Sequence, residues 1–210
     1  MTTTATAAQL KGYYRLHAAI YDSTRWSFLF GREQIIRDIV ASSAAPKEIL
    51  EVGCGTGKNL DKLGAAYPNA RLTGLDLSED MLAIARKRLA RHGSGVSWLQ
   101  QAYDGPLSQG GRFDLILFSY SLSMFNPGWQ VAIATAIEDL KPGGHLAVVD
   151  FESTPLTWFR RWMVVNHVRM EGHLLPVLEG RFQTRLRRVA PAYGGCWRYF
   201  RFVGEKKPGR

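Results

Sequence analysis

A glycine-rich run between a predicted strand and a predicted helix constrains the fold of this chain more than any other feature. The apolar strand covers Glu48–Val52, and residues 58–67 have the apolar spacing of a helix. Gly53, Gly55 and Gly57 lie between them. Glycines at such a junction let backbone N–H groups approach a ligand closely, at the positive end of the helix. The run therefore predicts a ligand-binding loop at the carboxyl end of a strand.

Two well-known nucleotide-binding loops do not match this run. A P-loop requires Gly-x-x-x-x-Gly-Lys-Ser/Thr, but Val52 stands at the position of the first glycine and Asn59 follows Lys58. A dinucleotide-binding loop requires Gly-x-Gly-x-x-Gly, and here Gly57 comes one residue too early, with Lys58 at the required position. The loop is therefore expected to bind a ligand of another kind.

Strands and helices alternate from residue 48 to residue 151. Further strands are predicted at 71–75, 96–99, 113–118 and 145–151, with helices at 78–91 and 130–140. This alternation is typical of a parallel sheet with helices on both faces, in which ligands bind at the carboxyl ends of the strands. The predicted fold class is therefore α/β, with a Rossmann-like doubly wound sheet.

Flanking segments extend this core on both sides, so that three parts of the chain are predicted. Residues 1–45 form an N-terminal helical lid with helices at 10–21 and 32–42, and residues 46–151 form the core. Residues 152–210 form a C-terminal extension that completes the sheet. In this extension a helix is predicted at 157–170, a strand at 197–203 and a frayed basic end at 205–210.

The net charge is concentrated in the C-terminal extension. The chain has a formal net charge of +9, and residues 151–210 hold 12 basic and 4 acidic side chains. Such a block either binds an anionic partner, such as phosphate or a bilayer surface, or is a solvated basic surface. The two cysteines exclude a disulfide framework and a zinc site built from cysteines. Since the sequence has neither a membrane span nor the features of a signal peptide, a cytoplasmic protein is predicted.

The run Glu51-x-Gly53-x-Gly55-x-Gly57 resembles the first motif of class I S-adenosylmethionine-dependent methyltransferases. Residues 76–82, 101–102, 113–120 and 140–146 resemble later motifs of the same family, in the same order. The resemblance implies that S-adenosylmethionine is the cofactor and S-adenosylhomocysteine the product, with the ribose hydroxyls on Asp76. The cofactor-binding residues implied in this way are Tyr21, Glu51, Gly53, Cys54, Gly55, Gly57, Asp76, Leu77, Met81, Gln101, Ala102 and Ser119.

Features outside these motifs restrict the acceptor of the methyl group. Enzymes that methylate exocyclic base amines usually carry Asn/Asp-Pro-Pro-Tyr/Phe after the fourth strand, where this chain has Ser119-Tyr120-Ser121-Leu122. No RNA-binding module accompanies the core, and no acidic pair that would hold a guanidinium stands near this loop. Neither a nucleic acid nor an arginine side chain is therefore expected as the methyl acceptor. The chain is also not expected to bind a metal.

Residues 13–32 are similar to the N-terminal segment of bacterial lipid N-methyltransferases, mainly at residues 21–32. The similarity is to enzymes that trimethylate diacylglyceryl-homoserine into a betaine lipid, and to the related phosphatidylethanolamine N-methyltransferases. It implies a membrane lipid amine as acceptor, and peripheral association with the anionic inner face of the membrane. Trp158 and Trp162, interleaved with arginines, are typical of an interfacial helix. In the alternative interpretation, both tryptophans cover the sheet as core residues.

Methyl transfer requires a neutral nucleophile that is aligned with the methyl group and sheltered from water. Oxygen-lined sites and aromatic faces suit a nitrogen that gains positive charge. The candidate catalytic residues are Tyr14, Tyr21 and Tyr120, each of which is otherwise a packing tyrosine. The candidate residues for the acceptor or the membrane are Trp158, Arg160, Arg161, His167, Arg169, Arg185 and Tyr193. In this set, the histidine is a candidate proton relay, and the arginines either hold a lipid phosphate or carboxylate or are solvated.

Two other functions stay open from the sequence. One is a methyltransferase that acts on a small soluble metabolite or a quinone-type ring, because the fold does not choose the acceptor. The other is a cofactor-binding protein without catalysis that docks on membranes or RNA. Dependence on liposomes distinguishes a lipid acceptor from a soluble one, and turnover of any acceptor excludes the protein without catalysis.

Overall fold

Seven strands form one sheet in a computed structural model, which describes residues 28–42, 45–165 and 168–207 apart from the side chain of Ser94. The predicted helix at 10–21 lies outside the described residues. The strands are β1 (Glu48–Val52), β2 (Arg71–Asp76), β3 (Val96–Gln100), β4 (Phe113–Ser119), β5 (Leu140–Ser153), β6 (Phe182–Ala192) and β7 (Trp197–Lys206).

Helices connect these strands and flank the sheet. They are α1 (Arg32–Ala41), α2 (Lys58–Ala66), α3 (Glu79–Leu89), α4 (Trp129–Asp139), α5 (Thr157–Val165) and α6 (Leu174–Arg181). Short 3-10 segments cover Ala90–Gly95, Leu122–Met124 and Tyr193–Gly195. None of the helices within the described residues is both long enough and apolar enough to cross a membrane.

The strand order is β3-β2-β1-β4-β5-β7-β6, and the first five strands of this order are parallel. β7 pairs antiparallel with β5, and β6 pairs antiparallel with β7. The predicted doubly wound sheet is thus confirmed, and the C-terminal extension supplies its antiparallel edge. The strand order reverses between β1 and β4, and such a switch point opens a ligand crevice at the carboxyl ends of the strands.

Each face of the sheet has its own apolar core, because successive side chains of a strand point to opposite faces. In β4, Leu115 and Leu117 pack on the side of α1, α2, α3 and α5. Ile116 and Phe118 of the same strand pack on the side of α4 and α6. Helices therefore cover both faces, as the alternation of strands and helices predicts.

The C-terminal extension differs from the sequence-based expectation in three places. The helix predicted at 157–170 is observed over Thr157–Val165, and Arg169 is not helical but donates its backbone N–H to the Ser123 carbonyl oxygen at 3.2 Å. Helix α6 and strand β6 were not predicted, and residues 205 and 206 belong to β7 rather than to a frayed end. β6 is an edge strand with mostly exposed polar side chains, so its apolar periodicity is weak.

Asp139, at the end of α4, anchors the long connection between β3 and β4. Its buried carboxylate accepts hydrogen bonds from the Tyr103 hydroxyl at 2.9 Å and from the backbone N–H groups of Leu107 at 2.9 Å and Ser108 at 3.2 Å. A buried carboxylate with several donors holds a loop firmly, because leaving such donors unpaired is costly. This anchor fixes the connection that begins with Gln101, beside the predicted cofactor loop.

Candidate active site

The glycine loop after β1 is tied to the end of β2 by backbone hydrogen bonds. Gly53 and Cys54 both donate their N–H groups to the Leu75 carbonyl oxygen, at 2.8 and 3.0 Å. Gly55 donates its N–H to Oδ2 of Asp76 at 2.8 Å. The loop and the acidic end of β2 therefore form one unit, although more than twenty residues separate them along the chain.

Two of the loop glycines are required for different physical reasons. Gly55 has a φ of +53°, and a Cβ placed there would meet nothing within 4 Å, so the loop is open on this side. Gly57 has a φ of +75°, and a Cβ there would lie 2.8 Å from a side-chain carbon of Leu89 and 3.0 Å from the Cβ of Ala85. Gly55 thus leaves room for a ligand, while Gly57 lets α2 begin close against α3.

The carboxylate of Asp76 has a fixed orientation beside the loop. Its second oxygen, Oδ1, accepts a hydrogen bond from the Ser78 backbone N–H at 3.0 Å, so both oxygens have backbone partners. Ser78 in turn caps α3, because its hydroxyl accepts a hydrogen bond from the Met81 N–H at 3.3 Å. An oriented carboxylate at the end of β2 suits a pair of vicinal hydroxyls, such as those of a ribose.

The residues predicted to surround the adenine lie at the same edge of the sheet. β3 pairs with β2 so that Gln100 stands beside Asp76, and Gln101 and Ala102 follow directly and are exposed. Leu77 is half-buried and Met81 is buried. The structure therefore brings the second and third predicted motifs to the loop.

Glu51 and Cys54 lie behind the loop and are buried. The Glu51 carboxylate accepts a hydrogen bond from the Asn59 side-chain amide at 2.6 Å, while its other oxygen has no hydrogen-bond partner within the described residues. Burial raises the pKa of Glu51 to about 7. A buried carboxylate oxygen without a donor fits a ligand ammonium group. Burial also raises the pKa of the Cys54 thiol, which indicates a packing role and not a nucleophile.

The segment after β4 closes the loop from the other side. The Ser121 hydroxyl donates to the Val52 carbonyl oxygen at 2.9 Å, and the Ser119 hydroxyl is buried without a partner in the described part of the chain. Tyr120 has a φ of +57° and is buried, and its hydroxyl donates to the Phe30 carbonyl oxygen at 2.6 Å. Burial raises the pKa of this hydroxyl well above its ordinary value. Tyr120 therefore fixes the chain near Phe30, and its phenol stays protonated.

Asp150 is a residue that sequence reasoning did not place in the site. It is fully buried near the carboxyl end of β5, and burial raises its pKa to about 6. Its carboxylate accepts hydrogen bonds from the backbone N–H groups of Ser123 at 3.0 Å and Phe151 at 2.8 Å. It thereby holds the 3-10 segment Leu122–Met124 against the end of β5. The sequence signal for this role was a single acidic residue within the otherwise apolar strand predicted at 145–151.

An aromatic cluster lies where α5, the β6–β7 turn and the chain before α1 meet. We define it as Phe28, Phe30, Phe159, Tyr193, Trp197 and Tyr199. The ring of Trp197 stacks between Phe28 and Phe159, with centroids 5.4 and 5.3 Å away. Its indole N–H is buried and has no acceptor among the residues that the structure describes. Periodicity cannot reveal such a cluster, because its members come from three distant segments.

The predicted acceptor and membrane residues occupy three different environments. Trp158, Arg160, Arg161 and Trp162 are exposed on α5, so the alternative in which both tryptophans cover the sheet is wrong. Tyr193 belongs to the aromatic cluster and is half-exposed.

Two further predicted arginines are ion-paired. Arg169 pairs with Glu171 at 2.5 Å, near the Leu122–Met124 segment. Arg185 pairs with Glu205 at 2.5 Å. Glu205 stands beside His145 in the sheet, so this pair lies toward the amino end of β5 and away from the loop. The structure does not bring Arg185 to the site.

The remaining predicted site residues, Tyr14, Tyr21 and His167, lie outside the described residues. Within residues 28–42, 45–165 and 168–207, no group of three or more His, Cys, Asp or Glu side chains is arranged to hold a metal ion.

Comparison with known proteins identifies the fold. Residues 49–144 match a family model described as a methyltransferase domain. The structure superimposes on the 1,6-didemethyltoxoflavin N1-methyltransferase of Burkholderia thailandensis with a TM-score of 0.76, at 18% sequence identity. The superposition covers 99% of this chain and 92% of that protein, which was solved with 1,6-didemethyltoxoflavin and S-adenosylhomocysteine bound. The chain has the class I methyltransferase fold.

Two curated methyltransferases are similar in sequence to this chain. The demethylmenaquinone methyltransferase of Thermus thermophilus is 31% identical over 143 residues, which are 68% of this chain and 64% of the relative. The dTDP-3-amino-3,4,6-trideoxy-alpha-D-glucopyranose N,N-dimethyltransferase of Streptomyces venezuelae is 33% identical over 175 residues, covering 74% of this chain and 65% of that enzyme. The chain thus spans slightly less than two thirds of the length of these relatives.

Replacing Asp76 by Ala should weaken the binding of S-adenosylhomocysteine by about 10- to 100-fold, the usual cost of losing hydrogen bonds to a charged group. Isothermal titration calorimetry measures this affinity directly. Asp80→Ala is the matched control, because Asp80 is an exposed carboxylate on the neighbouring α3. An affinity of Asp76→Ala equal to that of the control would contradict the ribose assignment.

Glu51→Gln should change how stability depends on pH. The pKa of Glu51 is raised from 4.5 to about 7, so the folded protein holds this proton more tightly than the unfolded chain does. Glu51 therefore stabilises the fold below pH 4.5, and that contribution is lost as the pH rises to about 7, by at most about 3 kcal/mol. Urea unfolding of the ligand-free protein at several pH values measures the loss.

The Glu51→Gln variant should lack this part of the decline, since its amide does not titrate. Glu138→Gln is the control, because Glu138 is exposed on α4. If Glu51→Gln declined with pH as steeply as the parent protein, the carboxyl would already be ionised when buried, and the assignment would fail.

Proposed function

We propose that the chain is an S-adenosylmethionine-dependent methyltransferase whose acceptor is a small organic molecule, either a soluble metabolite or a quinone-type ring. The observation that carries the proposal is the hydrogen bond from the Gly55 N–H to Asp76, which joins an open glycine loop at the switch point of the sheet to an oriented carboxylate at the end of β2. The names of the relatives support small acceptors, since they refer to a demethylmenaquinone, an amino sugar nucleotide and 1,6-didemethyltoxoflavin.

The residues present fit this cofactor. Asp76 would bind the ribose hydroxyls, and Leu77 and Met81 would flank the adenine. The Glu51 oxygen that has no donor in the described part of the chain would accept a hydrogen bond from the ammonium group. When bound, S-adenosylmethionine supplies a methyl group that its positive sulfur makes electrophilic. The chain itself binds and orients, because the loop backbone is fixed at the end of β2.

The acceptor side is defined by the aromatic cluster beside the end of β5. Aromatic faces exclude water and attract a nitrogen that becomes positively charged as it is methylated. Asp150 and Tyr120 hold the two backbone segments next to this side, through hydrogen bonds to Ser123 and to the Phe30 carbonyl. In this proposal they are positioning residues, and the acceptor reacts as its neutral form.

A second candidate acceptor is the amine of a membrane lipid headgroup, as in diacylglyceryl-homoserine or phosphatidylethanolamine. The observation that favours it is the exposure of Trp158 and Trp162 on α5, which leaves two large aromatic side chains facing solvent close to the aromatic cluster. Interfacial helices present tryptophan in this way at the depth of lipid headgroups.

Methyl transfer from radiolabelled S-adenosylmethionine to a fractionated bacterial extract distinguishes the two acceptors. The extract is separated into water-soluble metabolites, quinones and polar lipids in vesicles. Label in the metabolite or quinone fraction is expected, and Asp76→Ala should reduce it at an S-adenosylmethionine concentration below saturation. Label only in an amine-containing lipid would contradict the small-molecule acceptor and support the lipid headgroup. No label in any fraction, with S-adenosylhomocysteine binding intact, would contradict both.

A further inference from the structure

Helix α5 carries an apolar stripe whose side chains are about half exposed or more. Trp158, Trp162 and Val165 follow the i, i+4, i+7 spacing of one helix face and are 67%, 51% and 78% exposed. Val164 is also 52% exposed. The other exposed large hydrophobic residues of α1, α3 and α4 stand singly, as is normal for a soluble surface.

The buried face of α5, which adjoins this stripe, fixes its orientation. Phe159 and Met163 are buried in the core of the sheet, and Phe159 stacks on Trp197 with ring centroids 5.3 Å apart. The helix therefore cannot rotate to bury Trp158 and Val165 without removing Phe159 from the core. The exposed stripe is a fixed feature of the fold.

The charge on the exposed side of α5 is entirely positive. Around the helix Arg161 lies between Val164 and Val165, whereas Arg160 lies beyond Val164 on the flank away from both tryptophans. The sequence of α5 contains no acidic side chain. Neither arginine forms an ion pair with any residue that the structure describes. Other arginines of the extension do pair with carboxylates, namely Arg169, Arg185, Arg187 and Arg201.

We propose that the exposed face of α5 docks on an anionic lipid bilayer, with Trp158, Trp162 and Val165 at headgroup depth and with Arg160 and Arg161 on lipid phosphates. Charge selects this partner over a second copy of the chain. A symmetric contact through this face would place arginines opposite arginines with no acidic residue between them. An anionic surface neutralises both, and each is expected to strengthen binding several-fold.

Docking in this orientation would bring the acceptor side of the protein to the bilayer. α5 begins shortly after the end of β5, and its buried residue Phe159 belongs to the aromatic cluster. This consequence rests on the proposed function, whereas the docking itself does not depend on which molecule is methylated.

Sedimentation of the full chain with vesicles tests the docking without cofactor or acceptor. Vesicles of phosphatidylcholine alone are compared with vesicles of equal parts phosphatidylcholine and phosphatidylglycerol. Binding to the anionic vesicles is expected, and it should weaken strongly near 1 M salt, where screening acts within about 3 Å. Arg160→Gln with Arg161→Gln should weaken partition about 30-fold. Trp158→Ser with Val165→Ser should weaken it by at least about tenfold.

Matched controls separate this surface from general effects of charge and hydrophobicity. Arg37→Gln with Lys87→Gln removes two exposed charges from α1 and α3, and Ile84→Ser with Val131→Ser removes two exposed apolar side chains from α3 and α4. Both controls should bind like the parent protein, and urea unfolding shows whether each variant is folded. Equal binding of the α5 variants and the controls would overturn the proposal. So would a dimer that Trp158→Ser with Val165→Ser dissociates, since a second copy would then cover the face.

Discussion

The hydrogen bonds between the glycine loop and the end of β2 are the interaction on which the rest of the site depends. Leu75 accepts two loop N–H groups and Asp76 a third, so the loop conformation and the orientation of the carboxylate are set together. The parallel pairing of β1 with both β2 and β4 then places the Ser119–Ser121 segment against the loop. A site assembled in this way is rigid before any ligand arrives, which reduces the cost of ordering it on binding.

Two buried carboxylates support the site from behind, and burial raises the pKa of both. Glu51 has one oxygen bound to Asn59 and one without a donor among the described residues, which suits a ligand cation. Asp150 has backbone donors from Ser123 and Phe151, which suits a structural role at the end of β5. Similar residue types thus serve binding in one case and positioning in the other, according to their hydrogen-bond partners.

The parallel core could be predicted from sequence because its strands are buried on both faces, as in β1, where all five residues are buried. The loop and Asp76 could be predicted because glycine spacing and a strand-terminal acid are local signals. The aromatic cluster could not, since Trp197 meets Phe28 and Phe159 only after the antiparallel edge has formed. That edge was missed in β6, where arginines and an exposed surface mask the alternation of a strand.

The position of S-adenosylhomocysteine in a crystal structure of the complex tests the central claim most directly. The account predicts that both ribose hydroxyls donate to the Asp76 carboxylate, that the adenine lies against Met81, and that the ammonium group reaches Glu51. The aromatic cluster should then lie on the sulfur side of the ligand. A nucleoside bound away from Asp76, or a loop at Gly55 closed to the ligand, would contradict the account.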